Sequence, residues 1–425
     1  MNKKRIYRAT PVKQVRLEPL VKAAGEGRVI VGIDIAKEDM FAAFEVDGIV
    51  VLTVRWRHPE QTLGFAELLT VLKARGPVEV AMEPSGTYGD ALRALLEQYQ
   101  LPVFRVSPKR SHDAAEMFDG VPSYHDAKSA ALLCKLHRDG ISERWSARSD
   151  HERRLSATVR LLGNYEEEFR RNSNRLESLL ARYWPELTQH LKLRLATLAE
   201  LLATFGGPAA VAAHAADAEA LMRRVGGPYL ARTKIEAVLA SARQTLGVPQ
   251  LEEERDLVMR VATEARRSQK LAKDVKRRLE ELSQSHGATK YLCPVVGKTT
   301  AAVVVASLGD PRNYSSAAAF LKATGLNLKE KSSGKQKGGL HITKRGPGVV
   351  RLFLYLAALR LVQRHPVVNA WYQKKVQRQG GLAKPKAVIP IMRKLVLAAW
   401  FVARGDTFDV NKLFDVSRLK ISPAH

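Results

Sequence analysis

A chain of 425 residues with 45% hydrophobic content fits a globular protein of two to four domains, and with no run of about 18 uninterrupted apolar residues it excludes a membrane-spanning helix. Two cysteines, Cys134 and Cys293, allow neither a disulfide framework nor a Cys-based zinc site, and no apolar signal core follows the basic Met1–Arg5, so a cytoplasmic protein is expected. The net charge of +26 is unevenly held: residues 1–28 carry 8 Lys/Arg against 2 Asp/Glu, and residues 286–425 carry 24 against 5, while the stretch between them is nearly balanced. Such blocks need a polyanion, and nucleic acid is the obvious one. The C-terminal cations are interleaved with core-like apolar segments, which argues against a membrane-binding tail.

Residues 1–28 read as a mobile basic arm. Three β-branched runs follow, at 29–35, 40–46 and 49–55, with Asp47-Gly48 as a hairpin turn between the second and third. A helix is predicted over 60–75, a strand over Val78–Met82, a helix over 88–99 and a strand over Val103–Val106. Three antiparallel strands followed by alternating helices and strands describe an α/β RNase H-like (RuvC-like) mixed sheet in a domain spanning 29–149.

Three acids fall at telling places in that order. Asp34 ends the run Val29-Ile30-Val31-Gly32-Ile33, and Glu83 ends Val78–Met82 just before the breaker Pro84-Ser85-Gly86. Asp126 opens Asp126-Ala127-Lys128-Ser129 at the start of an apolar helical stretch. Acids at strand ends and on a following helix are how a nuclease-type fold gathers carboxylates around Mg2+, where metal ions stabilise the attacking and leaving oxygens of a phosphodiester.

Residues 150–185 and 250–285 are charge-rich with apolar residues at helical spacing, and predict an antiparallel helical arm or coiled-coil pair. Between them, 186–249 reads as a small helical insert broken at Gly206-Gly207-Pro208 and Gly226-Gly227-Pro228. A last, mainly α-helical domain is expected over 286–425. In Pro294–Thr300, the Gly-Lys-Thr triplet invites a P-loop reading, but the required earlier glycine is Leu292. A helix-turn-helix hairpin fits better, with Lys298 and the second helix's N-terminus available to a phosphate.

The stretch Lys329–Gly339 is too rich in Gly and Lys for helix or strand. Serine is a weak nucleophile unless charge and deprotonation are helped. Lys331, Lys335 and Lys337, with Gly-exposed backbone N–H groups, can supply the electrostatic part around Ser332 and Ser333. On these residues alone a flexible phosphate-binding loop without a covalent role is the favoured reading.

Taken together, these stretches resemble the DEDD insertion-sequence transposases, a family of bridge-RNA-guided recombinases. The matching pieces are Val31–Lys37, Met82–Gly86, Tyr124–Lys128, Pro294–Asp310, Thr324-Gly325-Leu326, Ser333-Gly334, Ile342–Gly346 and Met392–Leu395, so the resemblance covers nearly the whole chain. It implies that Asp34, Glu83 and Asp126 are the first three catalytic, metal-binding acids and that Ser333 joins DNA covalently. The family's fourth acid falls three residues after the third, and here that residue is Ser129. Either Ser129 gives an oxygen or water-mediated metal contact, or a nearby acid such as Asp119 substitutes. The resemblance further implies Mg2+ as cofactor, donor and target DNA, a structured guide RNA encoded beside the gene, and a homo-oligomer, dimer or tetramer. Nucleic-acid contacts are expected from Lys298, Lys331, Lys335, Lys337, Lys344, Arg345, Arg393 and Lys394. The alternatives are a metal-dependent nuclease or junction resolvase in which Ser333 only binds phosphate, and a non-catalytic nucleic-acid-binding protein.

Overall fold

Alternating apolar residues near the N-terminus fold as a sheet with both faces covered. The computed structural model describes residues 8–84, 86–119, 125–145, 149–330, 339–378, 380–381 and 384–415. They form two compact units, residues 1–147 and 148–425.

In the first unit the elements are β1 (Thr10–Pro11), α1 (Leu17–Ala24), β2 (Val29–Asp34), β3 (Asp39–Val46), β4 (Ile49–Arg57), α2 (Thr62–Lys73), β5 (Val78–Met82), α3 (Asp90–Gln98), β6 (Val103–Arg105), α4 (Pro108–Asp119), α5 (Asp126–Arg138) and β7 (Glu143–Arg144). The sheet order is β1-β4-β3-β2-β5-β6-β7. Strands β2, β3 and β4 form an antiparallel meander, turned at Asp47-Gly48 with positive φ at both residues. The parallel strands β5 and β6 then extend the sheet from the other side of β2. This is the mixed sheet of an RNase H-like domain.

Strand β2 is central, and its side chains divide by parity. Val29, Val31 and Ile33 join Phe44, Trp56, Phe65, Leu69, Leu92 and Leu96 in a core on one face. Ile30 packs with Ala43, Ala130, Ala131 and Cys134 on the other face, beneath α5.

The N-terminal arm is corrected by the structure from Thr10 onward. β1 pairs in parallel with β4, and α1 buries Leu20 and Ala24 in the first core. The four-residue spacing of Leu20 and Ala24 gives a short amphipathic helix, while Lys13, Arg16, Lys22 and Arg28 stay exposed.

In the second unit, α6 (Asp150–Tyr183) and α12 (Glu252–Ser283) are the long helices. Between them lie α7 (Leu187–His190), α8 (Ala196–Phe205), α9 (Pro208–Ala213), α10 (Ala215–Gly226) and α11 (Arg232–Arg243). After them come α13 (Gly287–Val296), α14 (Lys298–Leu308), α15 (Ala317–Ala323), β8 (Leu328–Lys329), β9 (His341–Ile342), α16 (Gly348–Arg364), α17 (Pro366–Arg378) and α18 (Lys384–Val402). Helices α6 and α12 run antiparallel and share two cores. Near α6's C-terminal end, Phe169, Leu176 and Leu180 join Val258, Val261 and Ala262 of α12 and the insert helices. Near its N-terminal end, Leu155, Val159 and Leu162 join Ala272, Leu279 and the helices from α13 onward. No core boundary therefore falls at residue 285. The antiparallel pair is built into the C-terminal core at one end and packs with the insert helices at the other.

The turn at Gly297 is confirmed as a junction between two helices. Gly297 has φ +82°, and α14 starts at Lys298 with Thr299 and Thr300 already buried. A phosphate-wrapping P-loop is excluded by that geometry. Thr300 Oγ1 donates to the Phe353 carbonyl at 3.3 Å, and Thr299 hydrogen-bonds Glu280.

Candidate active site

Strand register brings the first two acids side by side. Ile33 of β2 is paired with Met82 of β5 in a parallel ladder, so the next residues, Asp34 and Glu83, leave adjacent strands at the same edge. Adjacent strands lie about 4.8 Å apart. Parity places Asp34 on the face of Ile30 and Gly32, and Glu83 on that of Glu79 and Ala81, which is the α5 face in both cases.

Helix α5 delivers the third acid because it lies unusually close to β2. A Cβ on Gly32 would stand 2.1 Å from the Ala130 carbonyl oxygen and 2.8 Å from the Cys134 nitrogen, so only glycine allows this approach. The Gly32 N–H donates to Cys134 Sγ at 3.0 Å, and the thiol in turn donates to the Ala43 carbonyl at 3.3 Å. Asp126, Ala130 and Cys134 recur every fourth residue and share one helix face. With Cys134 seated against Ile30 and Gly32, the helix runs against the strand direction, and its N-terminus arrives where β2 ends. His125 caps it by accepting from the Ala127 N–H at 3.2 Å. The other end is pinned by His137 to Glu79 at 2.9 Å and by Arg138 to Glu45 at 2.8 Å.

The electrostatics carry the mark of this convergence. The Asp34 carboxyl is pushed up from its ordinary 3.8 to about 7, first by burial and then by the charges of Asp126 and Glu83, with the Ile35 N–H pulling the other way. A divalent cation would relieve both causes. Among the described residues no three Asp, Glu, His or Cys side chains are gathered tightly enough to form a ready-made cage. Three hard oxygen donors in a loose cluster still suit Mg2+, which keeps several waters and takes one or two carboxylates plus substrate phosphate rather than a closed protein cage.

Ser129 lies half-buried in the first turn of α5, three residues beyond Asp126 and hence near it on the helix surface. The side chain of Asp119 lies outside the described residues. Sequence reasoning singled out the acids but missed Gly32, Ala130 and Cys134, which place them. The available signal was a glycine two residues before Asp34 and the four-residue spacing back from Cys134 to Asp126.

In the second unit, Lys331 through Gly338, with Ser333, Lys335 and Lys337, lie outside the described residues. On either side of that segment the β8–β9 pair sets Leu328 opposite Ile342 and Lys329 opposite His341. Beyond β9, the backbone from Thr343 to Gly346 lies directly on Thr324 and Gly325. Lys344 N–H donates to the Gly325 carbonyl at 2.9 Å, and a Cβ on Gly346 would meet the Ala323 oxygen at 2.3 Å. Lys344 and Arg345 are exposed on this strap, and Lys298 is exposed at the start of α14. Arg393 instead donates to the Leu326 carbonyl at 3.0 Å, and Lys394 stands 5.1 Å over the Phe414 ring. Both are therefore anchored to the protein as well as carrying charge.

Comparison with known proteins gives two family matches. Residues 31–185 match a transposase family of the IS110 DEDD type, and residues 293–373 match the transposase IS116/IS110/IS902 family. Together they span more than half of the chain. An uncharacterized 43.6 kDa protein of insertion element IS110 from Streptomyces coelicolor is 25% identical over 297 residues, covering 68% of this chain and 72% of the relative. An uncharacterized 44.8 kDa protein of insertion element IS116 from Streptomyces clavuligerus is 25% identical over 402 residues, covering 89% and 95%.

Proposed function

The chain belongs to the DEDD transposases of the IS110 insertion-sequence family, and from that premise we propose that it cuts and rejoins DNA through a serine–DNA covalent link, with Mg2+ held by Asp34, Glu83 and Asp126. The observation that carries the metal-site reading is the meeting of three carboxylates at one sheet edge, felt at Asp34 as a carboxyl raised to about 7. Ser129, in the place of the family's fourth acid, is proposed to contribute a neutral oxygen or a water-mediated contact. When bound, the metal supplies electrostatic stabilisation of the charge that develops on phosphate oxygens.

The covalent part rests on Ser333. Its oxygen would bond to phosphorus as the bridging P–O bond breaks, and the seryl proton ends on the released hydroxyl end. Attack by a hydroxyl end of another strand would then restore the serine, so the number of phosphodiester bonds is conserved. The lysines at 331, 335 and 337 supply the field that draws a phosphate to this loop. The second family match, over 293–373, includes this segment and supports the reading.

Donor and target choice is proposed to come from a structured RNA. Recognition by shape and backbone calls for a basic surface rather than a base-reading code, and the +19 balance of residues 286–425 suits it. A dimer or tetramer acting on DNA in the cytoplasm completes the proposal. Among the described residues no helix is long and apolar enough to cross a membrane.

Trapping the covalent adduct tests this. Ser333→Ala should bind DNA as the parent does, because the lysines remain, yet give neither adduct nor recombinant product, while Ser332→Ala has a mild effect. Should Ser333→Ala still form the adduct while Ser332→Ala does not, the nucleophile is Ser332; if neither change matters, the covalent mechanism is wrong and the hydrolytic nuclease reading takes over.

A further inference from the structure

In the second unit, α17 and α18 border a pocket of about 350 Å3. Trp371, Lys374, Lys375 and Arg378 line it from α17, at the three-, four- and seven-residue offsets that define one helix face. Lys394 of α18 enters from the other side, and Phe414 closes the aromatic wall, its ring 4.8 Å from that of Trp371 at 37°. Among the described lining residues the only acid is Asp415.

Lys374 and Asp415 already have interactions within the protein, and the remaining cations Lys375, Arg378 and Lys394 leave a positive excess in one concavity that an anion relieves. The aromatic wall says more about that anion. A bare phosphate would use the cations but not the accessible part of Trp371, which is only partly buried where it packs on Phe414. A nucleotide uses both, since every base has a face to stack and every link carries a charge. Bases in a duplex are already stacked and paired, so only an unpaired one can turn its face to the indole.

We propose that this pocket seats one nucleotide of a single strand, its base against Trp371 and its flanking phosphates on Lys375, Arg378 and Lys394. The inference rests on the reading of the second unit as a nucleic-acid binder and adds to it a preference for unpaired strand. A recombination reaction that opens duplexes, and a folded RNA with loops, both present such strand. The shared chemistry is the unpaired base between two phosphates, and the experiment separates the two sources.

The full-length protein is titrated with dT and rU oligonucleotides and with a duplex of the same length, across a salt series. Replacing the two outward cations together, Lys375→Gln with Arg378→Gln, should weaken single-strand binding. It should also flatten the log–log salt slope by about 1.4, two contacts at roughly 0.7 each, and leave duplex affinity within about twofold. Trp371→Leu should cost about tenfold on single strands with no change of slope. Because Trp371 packs on Phe414, its thermal melt is checked, and the charge pair decides the matter if that variant is unstable. Stronger loss on rU than on dT would identify the RNA as the occupant, and the reverse would identify opened DNA. Unchanged single-strand affinity and slope in the charge pair, or equal loss on duplex, overturns the proposal while the wider nucleic-acid reading stands. Parent protein that binds none of the three overturns both.

Discussion

At the scale of single residues, Asp34 is where burial and like charge meet, and the consequence is a pH-dependent cost. Its carboxyl titrates near 7 in the folded chain against 3.8 ordinarily, so the folded state holds the proton more tightly than the unfolded one. Stability contributed by this group is therefore lost as pH rises from about 4 to about 7, and is flat above that. Asp34→Asn removes the charge at constant shape. Measured in EDTA, the variant should melt above the parent at pH 8, by an amount on the order of a few kcal/mol, and close to the parent at pH 4. An equal shift at both pH values would mean that the Asp34 carboxyl is not strained by its neighbours. Ser129 sits beside this cluster without a charge. Ser129→Asp should be tolerated or raise activity in strand-exchange assays, and Ser129→Ala should lower it modestly.

At the scale of elements, α5 is the device that completes the site. Its fit to β2 depends on Gly32, where any Cβ would strike the Ala130 carbonyl. Gly32→Ala should destabilise the fold by about 2–3 kcal/mol or more, since the colliding atoms are backbone and cannot swing aside. Because the displaced helix carries Asp126, activity should fall further than the population of folded protein accounts for. A parent-like melting curve for Gly32→Ala would refute the close approach.

Much of this unit was legible in the sequence. β2, β3, β4 and β5 alternate or run apolar between clear turns, and Asp34 and Glu83 stand out because each charge ends an apolar run. The approach of α5 was not legible, because it lives in a contact between residues 32, 130 and 134 that no local pattern records. The N-terminal helix was misread for a different reason. Leu17, Leu20, Val21 and Ala24 follow helical spacing, but the density of Lys and Arg around them suggested an arm. The core shared across residue 285 was not legible because the faces of α6 and α12 look alike along their length, while only the fold tells which end meets α13 to α18. The lysines around Ser333 were read from composition, whereas the α17 face carrying Trp371 went unnoticed because its cations are spread over two turns.

At the scale of the whole molecule, charge is the organising quantity. Residues 286–425 carry most of the +26, yet they share a core with Leu155, Val159 and Leu162 of α6. Cutting the chain at 285 would split that core, so the charge must be tested in the intact protein. Duplex affinity should fall steeply with salt, by about 0.9 log unit per contact for each tenfold rise. Replacing the exposed Lys298, Lys344 and Arg345 by Gln should flatten that slope, by up to about 2.7 if each touches a phosphate. A slope unchanged in the triple variant would move the duplex-binding surface elsewhere.

The proposed role of the Asp34–Glu83–Asp126 cluster, to hold the Mg2+ that strand exchange requires, is tested most directly by Asp34→Asn. In Mg2+, with donor and target DNA and the RNA that co-purifies with the parent, the variant should bind nucleic acid as the parent does and keep its fold. It should yield no recombinant product. Recombination by Asp34→Asn at the parental rate would contradict the account.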